Sequence, residues 1–155
     1  MESHPSHSAS AGHEGTGGVF FDDPLFEQFA VRSLTLDGCP LGEISAIASS
    51  IEEGDADSWF REWSAAGDRL SGYGDASAQA EHAISASGSY LRAASYYRAA
   101  YAPLFGSPVD ARLVEAFDKE AAAFQKAAAL MPSPVEPVEI LVSIWRCTPT
   151  ACLLA

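Results

Sequence analysis

The sequence predicts an all-α protein, a bundle of about five amphipathic helices with a disordered N-terminal tail and a short extended C-terminal segment. Three observations predict it. Apolar residues recur at steps of three and four through the long middle segments, which is the spacing of one helical face. Gly and Pro fall between those segments and mark where each helix must stop. Nothing before position 135 alternates as a strand would.

Residues 1 to 18, MESHPSHSASAGHEGTGG, carry almost no large apolar side chain and cannot offset the entropy of ordering, so they are expected to be a disordered tail. His4, His7 and His13 lie on that tail. Metal ligands need a preformed geometry that such a segment lacks, so no metal site and no cofactor are expected.

The first helix is expected within VFFDDPLFEQFAVRSLTLDG. Asp22 or Asp23 suits the N-cap, Pro24 suits the first helical position, and Gly38 would end the segment. Leu25, Phe26, Phe29 and Ala30 would form its buried face. A second helix, about 41 to 52, carries Leu41, Ile44, Ile47, Ala48 and Ile51, with Gly54 stopping it.

The third helix places Trp59, Trp63, Ala66, Leu70 and Tyr73 on one face. Gly67, Gly72 and Gly74 each cost about 1 kcal/mol relative to Ala in a helix interior, so the helix would end near 74, although its pattern allows continuation to about 82. The fourth helix, YLRAASYYRAAYAPLF, has Tyr90, Ala94, Tyr97, Tyr101 and Leu104 on its stripe and ends at Pro103. A fifth, about 109 to 131, keeps Val114, Phe117, Ala121, Phe124, Ala128 and Met131 in step until Pro132. The domain would span 19 to 132, followed by a Pro-rich linker and strand-like tail over 133 to 155.

Charge excludes two function classes. With 9 Lys and Arg against 21 Asp and Glu, the net charge of −12 repels phosphate backbones and anionic headgroups, so neither nucleic acid nor a membrane surface is an expected partner. The N-terminus lacks the charged and apolar regions of a signal peptide, and the chain reads as cytoplasmic. Cys39, Cys147 and Cys152 are odd in number and irregular in spacing, which argues against a disulfide framework or a zinc site.

Catalytic motifs are absent from the sequence. A nucleophile elbow needs G-x-S-x-G between a strand and a helix. Gly88-Ser89 and Gly106-Ser107 lack both the trailing glycine and the strand. His82 is the only histidine outside the tail, and near a helix end it reads first as a polar surface residue. Asp22-Asp23 and Glu52-Glu53 read as helix-start charges or solvated surface. Tyr96, Tyr97, Trp59 and Trp63 are the candidate substrate-binding residues, because aromatic rings at helical spacing serve either as core or as the wall of an apolar pocket.

The ordered series FFDDPLFEQFAVRSL, EGDADSWFREWSAAGDRL, SYLRAASYYRAAYAPLF and FDKEAAAFQKAAALMPSPVEPVEI resembles the N-terminal helical region of a family of two-domain bacterial α/β-hydrolases. That family includes the 2,6-dihydroxypseudooxynicotine hydrolase type and dipeptidyl-aminopeptidase-like relatives. The resemblance covers roughly 19 to 140. It implies a helical cap over an active site, with the serine nucleophile, acid and histidine on a downstream domain, so no catalytic residue carries over to this chain. It also implies a partner, either a hydrolase catalytic domain or a second copy meeting an exposed apolar face.

The resemblance stops after Ile140. Back-translated with suitable codons and read one nucleotide later, VSIWRCTPT can give YPYGAAHLP, which looks like the family's continuation, so the expectation is a hydrolase cut off by a frameshift. The competing expectation is a free-standing interaction module, since YLRAASYYRAAY resembles tetratricopeptide-like helix packing. No period of 34 recurs, however. A third possibility, catalysis by His82 with a nearby carboxylate, has no supporting motif.

Overall fold

The computed structural model describes residues 17–35, 39–133, 135 and 138. Their architecture is all-α: α1 (Pro24–Ser33), α2 (Leu41–Ala48), α3 (Ala56–Gln79), α4 (Ala83–Ala100), a 3-10 turn (Ala102–Leu104) and α5 (Ala111–Ala129). Most of the expected tail, Gly38, and the stretch from Glu139 onward lie outside the described residues, as do Cys147 and Cys152.

Cross-helix hydrogen bonds give the topology. On α3, Trp59, Asp68 and Asp75 meet Ala99, Tyr97 and Tyr90 of α4 in descending order, so the two helices are antiparallel. Asp57, Asp68 and Asp75 meet Arg112, Lys119 and Lys126 in ascending order, so α5 runs in the direction of α3. α4 packs closely on both, while α1 and α2 lie against one end.

Three of the helices, α1, α3 and α5, start on a capping aspartate. Asp23 caps α1 by accepting from Leu25 and Phe26 amides at 2.8 and 3.0 Å, with Pro24 at the first position. Asp55 and Asp110 cap α3 and α5 in the same way. Glu27 reaches back to take the amides of Val19, Phe20 and Phe21, which holds the approach to α1 in place.

The core is aromatic. Trp59 has no exposed surface, and its ring lies 5.8, 5.2, 5.9 and 5.7 Å from Phe21, Phe26, Phe29 and Trp63, while its Nε1 donates to the Ala99 carbonyl at 2.9 Å. Trp63 continues the stack to Tyr96 at 5.4 Å.

Several expectations need correction. α1 ends at Ser33, before Gly38, because the Ser33 and Thr35 hydroxyls bond back to the Phe29 and Arg32 carbonyls and the last turn tightens there. Leu25, expected on the buried face, is 52% exposed, whereas Phe26 and Ala30 are buried. α2 ends at Ala48, short of 52, and its Leu41 is exposed. α3 runs past its glycines to Gln79, ending where Glu81 adopts a φ of 60°, and Tyr73 points outward. α4 begins at Ala83 rather than near 90, and Tyr101 and Leu104 fall beyond its end.

α5 departs furthest from its expected stripe. Val114, Phe117 and Phe124 are 49%, 54% and 44% exposed, while Ala116, Ala123, Ala127 and Ala128 are buried. The helix turns its small face to α4, because alanines let two backbones approach where rings would hold them apart. Its large side chains face outward.

The start of α4 offers a test. His82 is its exposed N-cap residue and makes no side-chain capping bond. Substituting Asp should therefore stabilise the protein by about 0.5–1 kcal/mol by capping free amides. The urea midpoint checks this, and an unchanged midpoint contradicts it.

Candidate functional site

A cleft of about 420 Å³ opens between α2, α3 and α4. Ile47, Ala66 and Leu70 supply apolar wall, and Glu43, Arg69, Arg92, Tyr73 and Tyr96 supply polar groups. Glu43 comes from the first turn of α2 and accepts hydrogen bonds from both Arg92 and Tyr96 on α4. Burial alone would raise the Glu43 carboxyl, but the Tyr96 and Arg92 hydrogen bonds outweigh it and hold the group below its ordinary value, with the Arg69 charge helping. Burial, then the bond to Glu43, pushes the Tyr96 phenol well up. Cys39 is buried nearby, and burial pushes its thiol up to about 11.

On the other side of α4 a second arrangement repeats every seven residues. Tyr97 packs against Gly67, donates to Asp68 at 2.8 Å, and lies beneath the Lys119 ammonium at 5.7 Å. Tyr90 packs against Gly74, donates to Asp75 at 2.7 Å, and lies beneath Lys126 at 5.1 Å. The two clasps bind three helices with the same parts. Lys126 first, then Tyr90, holds the Asp75 carboxyl below its ordinary value. The carboxylate in turn pushes the Tyr90 phenol up to about 12.

These carboxylates set an acid dependence. Glu27, Glu43 and Asp75 all have folded values below their ordinary 4.5, 4.5 and 3.8. Such groups add stability that is present above the ordinary values and is lost as pH falls through the lower folded ones. Thermal midpoints should hold from pH 7 to about 5 and then fall, by on the order of 5 °C at pH 3.5. A flat profile down to pH 3 contradicts this.

The sequence-predicted aromatics part company here. Tyr96 lines the cleft. Trp59 and Trp63 lie in the core, and Tyr97 is buried in the first clasp. Glu43, Arg69 and Arg92 stand in the cleft without being among the residues expected there. A signal existed in the twice-repeated R-x-x-x-Y, Arg69/Tyr73 and Arg92/Tyr96, which places each pair one helical turn apart on a common face.

Hydrolytic machinery is not assembled among the described residues. His82 is exposed at a helix start, and the buried Ser87 hydroxyl donates to the Ala127 carbonyl at 3.1 Å. No group of three or more His, Cys, Asp or Glu there is placed to hold a metal ion. No helix among them is long and apolar enough to cross a membrane.

Comparison with known proteins gives the helices a context. The chain is 36% identical over 101 residues to hydrolase acrC of Aspergillus aculeatus, covering 65% of this chain and 24% of that protein. It is 35% identical over 108 residues to the α/β hydrolase pydG of an Acremonium species, covering 70% and 25%. It is related to the α/β hydrolases. A third relative, the α/β hydrolase gkaG of Penicillium citrinum, is 33% identical over 123 residues, covering 76% of this chain and 28% of the relative. The chain thus spans about a quarter of the length of the curated relatives it matches. These relatives are fungal. No family model matches the chain, and no solved structure matches it significantly.

Proposed function

We propose that this chain is the substrate-selecting helical cap of a two-domain α/β-fold serine hydrolase acting on ester, amide or C–C bonds, inactive without the domain that carries the nucleophile. The observation that carries this reading is the outer face of α5. Val114, Phe117 and Phe124 lie along one side of the helix, all exposed, and Phe105 and Val109 on its approach are 72% and 65% exposed. Large apolar side chains in register on a solvent face mark a surface that another body covers. The match to hydrolases over about a quarter of their length supports a catalytic domain as that body. A cap contributes by excluding water and by fitting the group it admits.

The experiment joins three readouts on the chain. It should hydrolyse no p-nitrophenyl ester, should bind a fluorescent apolar dye, and should self-associate as concentration rises. Phe117→Glu with Phe124→Glu should weaken both dye binding and association. A dye-silent monomer, or turnover abolished by His82→Ala, overturns the reading. The alternative of a free-standing interaction module draws on the polar lining of the α2–α3–α4 cleft. It predicts dye binding unaffected by the Phe117 and Phe124 changes.

A further inference from the structure

We infer that the α2–α3–α4 cleft binds small amphipathic carboxylates, with the ligand's carboxylate taking the place on Arg92 and Tyr96 that Glu43 now fills. The inference stands apart from the cap reading. Arg92 and Tyr96 lie one turn apart on α4 and both donate to the Glu43 carboxylate, so the pair already forms a two-donor anion seat. A guanidinium beside a phenol is a donor set suited to a carboxylate.

Arg69 adds a second positive charge. It lines the same cleft, acts on Glu43 through its charge, and forms no ion pair among the described residues. In a chain with 9 cationic side chains against 21 acidic ones, an unpaired arginine beside a second arginine is a local exception. Glu62 at the cleft wall is paired with Arg61 at 3.0 Å, so once Glu43 turns aside Arg69 and Arg92 face an added anion together.

The body of the ligand is set by the remaining wall. Ile47 of α2 and Ala66 and Leu70 of α3 offer aliphatic surface next to the donors, and the cleft's volume of about 420 Å³ suits an acid of medium chain or one aromatic ring. Glu43 competes because it is tethered at the mouth by α2, which has only eight residues and an exposed Leu41 at its start. Ile44, Ile47 and Ala48 keep that helix seated, so the Glu43 side chain turns aside through its own rotamers. Binding thus exchanges one carboxylate for another and leaves Glu43 free to turn to water.

The test titrates the 155-residue chain with octanoate and phenylacetate, and with octanamide and phenylacetamide as neutral counterparts. Tryptophan fluorescence reads binding, since Trp63 touches Tyr96. The acids should bind at least about tenfold more tightly than the amides, as expected when a charge-assisted pair is lost. Arg69→Gln, at an exposed and unpaired position, should weaken the acids about three- to tenfold while leaving the thermal midpoint unchanged. Glu43→Gln should tighten them, because it weakens the internal competitor. Arg92→Met should abolish acid selectivity, and if it fails to fold, Arg69→Gln and Glu43→Gln decide. Equal binding of acids and amides, no binding by either wild type or Glu43→Gln, or acid affinity indifferent to both variants overturns the inference.

Discussion

Trp59→Ala is expected to destabilise the protein by about 3–5 kcal/mol, the range for removing a fully buried large aromatic. Against the roughly 5–15 kcal/mol of a typical domain, that runs from about a fifth of the stability to all of it. The thermal midpoint should fall by about 6–20 °C. The reason lies in what the ring joins. Phe21 precedes α1, Phe26 and Phe29 lie on it, and Trp63 is one turn along α3, so one side chain bonds α1 and its approach to the bundle. Its Nε1 also reaches the Ala99 carbonyl near the end of α4. Trp59→Phe should recover packing but forfeit that bond, leaving a deficit of about 1–2 kcal/mol. Trp63→Phe should cost less, because Trp63 Nε1 has no hydrogen-bond partner among the described residues. Equal costs for the two Phe variants would show that the Ala99 bond contributes nothing.

The sequence announced the helices wherever the apolar step coincided with a start signal. Asp23 with Pro24, and the Trp59/Trp63/Ala66/Leu70 stripe, could be read directly, since both depend on local chemistry and on period. Its failures share a cause. On α5, hydropathy selects Val114, Phe117 and Phe124 as the inner face, yet the chain buries alanines instead. Small residues score weakly in any apolar pattern, but they are what close helix contact requires, and only the partner helix reveals which stripe was used. The cleft was half legible. Tyr96 stood out as an aromatic, whereas Glu43 and Arg92, forty-nine residues apart, meet only when α2 folds onto α4. No local pattern encodes that meeting.

By propensity every glycine weakens α3, but two of them are contact surfaces in the structure, which leads to opposite expectations for one substitution in one helix. A Cβ at Gly67 would stand 2.7 Å from the Tyr97 ring, and one at Gly74 would stand 2.5 Å from the Tyr90 ring, whereas Gly72 has nothing within 4 Å. Ala in place of exposed Gly72 should stabilise by about 0.5–1 kcal/mol through helix propensity alone. At Gly67 or Gly74 the same gain is outweighed, because the ring must move. Neither ring is free to do so: each hydroxyl is held by an aspartate and each face by a lysine. Overpacking of this kind typically costs about 1–3 kcal/mol, so each variant should be net destabilising. The exposed Lys119–Asp68 and Lys126–Asp75 pairs contribute little by themselves, as solvent screens them. Lys126→Ala should therefore cost well under the Gly74→Ala variant. If Gly67→Ala and Gly74→Ala both raise the urea midpoint as Gly72→Ala does, the tyrosines are free to yield and the seven-residue clasp is not what holds α3, α4 and α5 together. If the signs split as expected, the glycines that weaken α3 in isolation are the positions that let three helices close around Tyr90 and Tyr97.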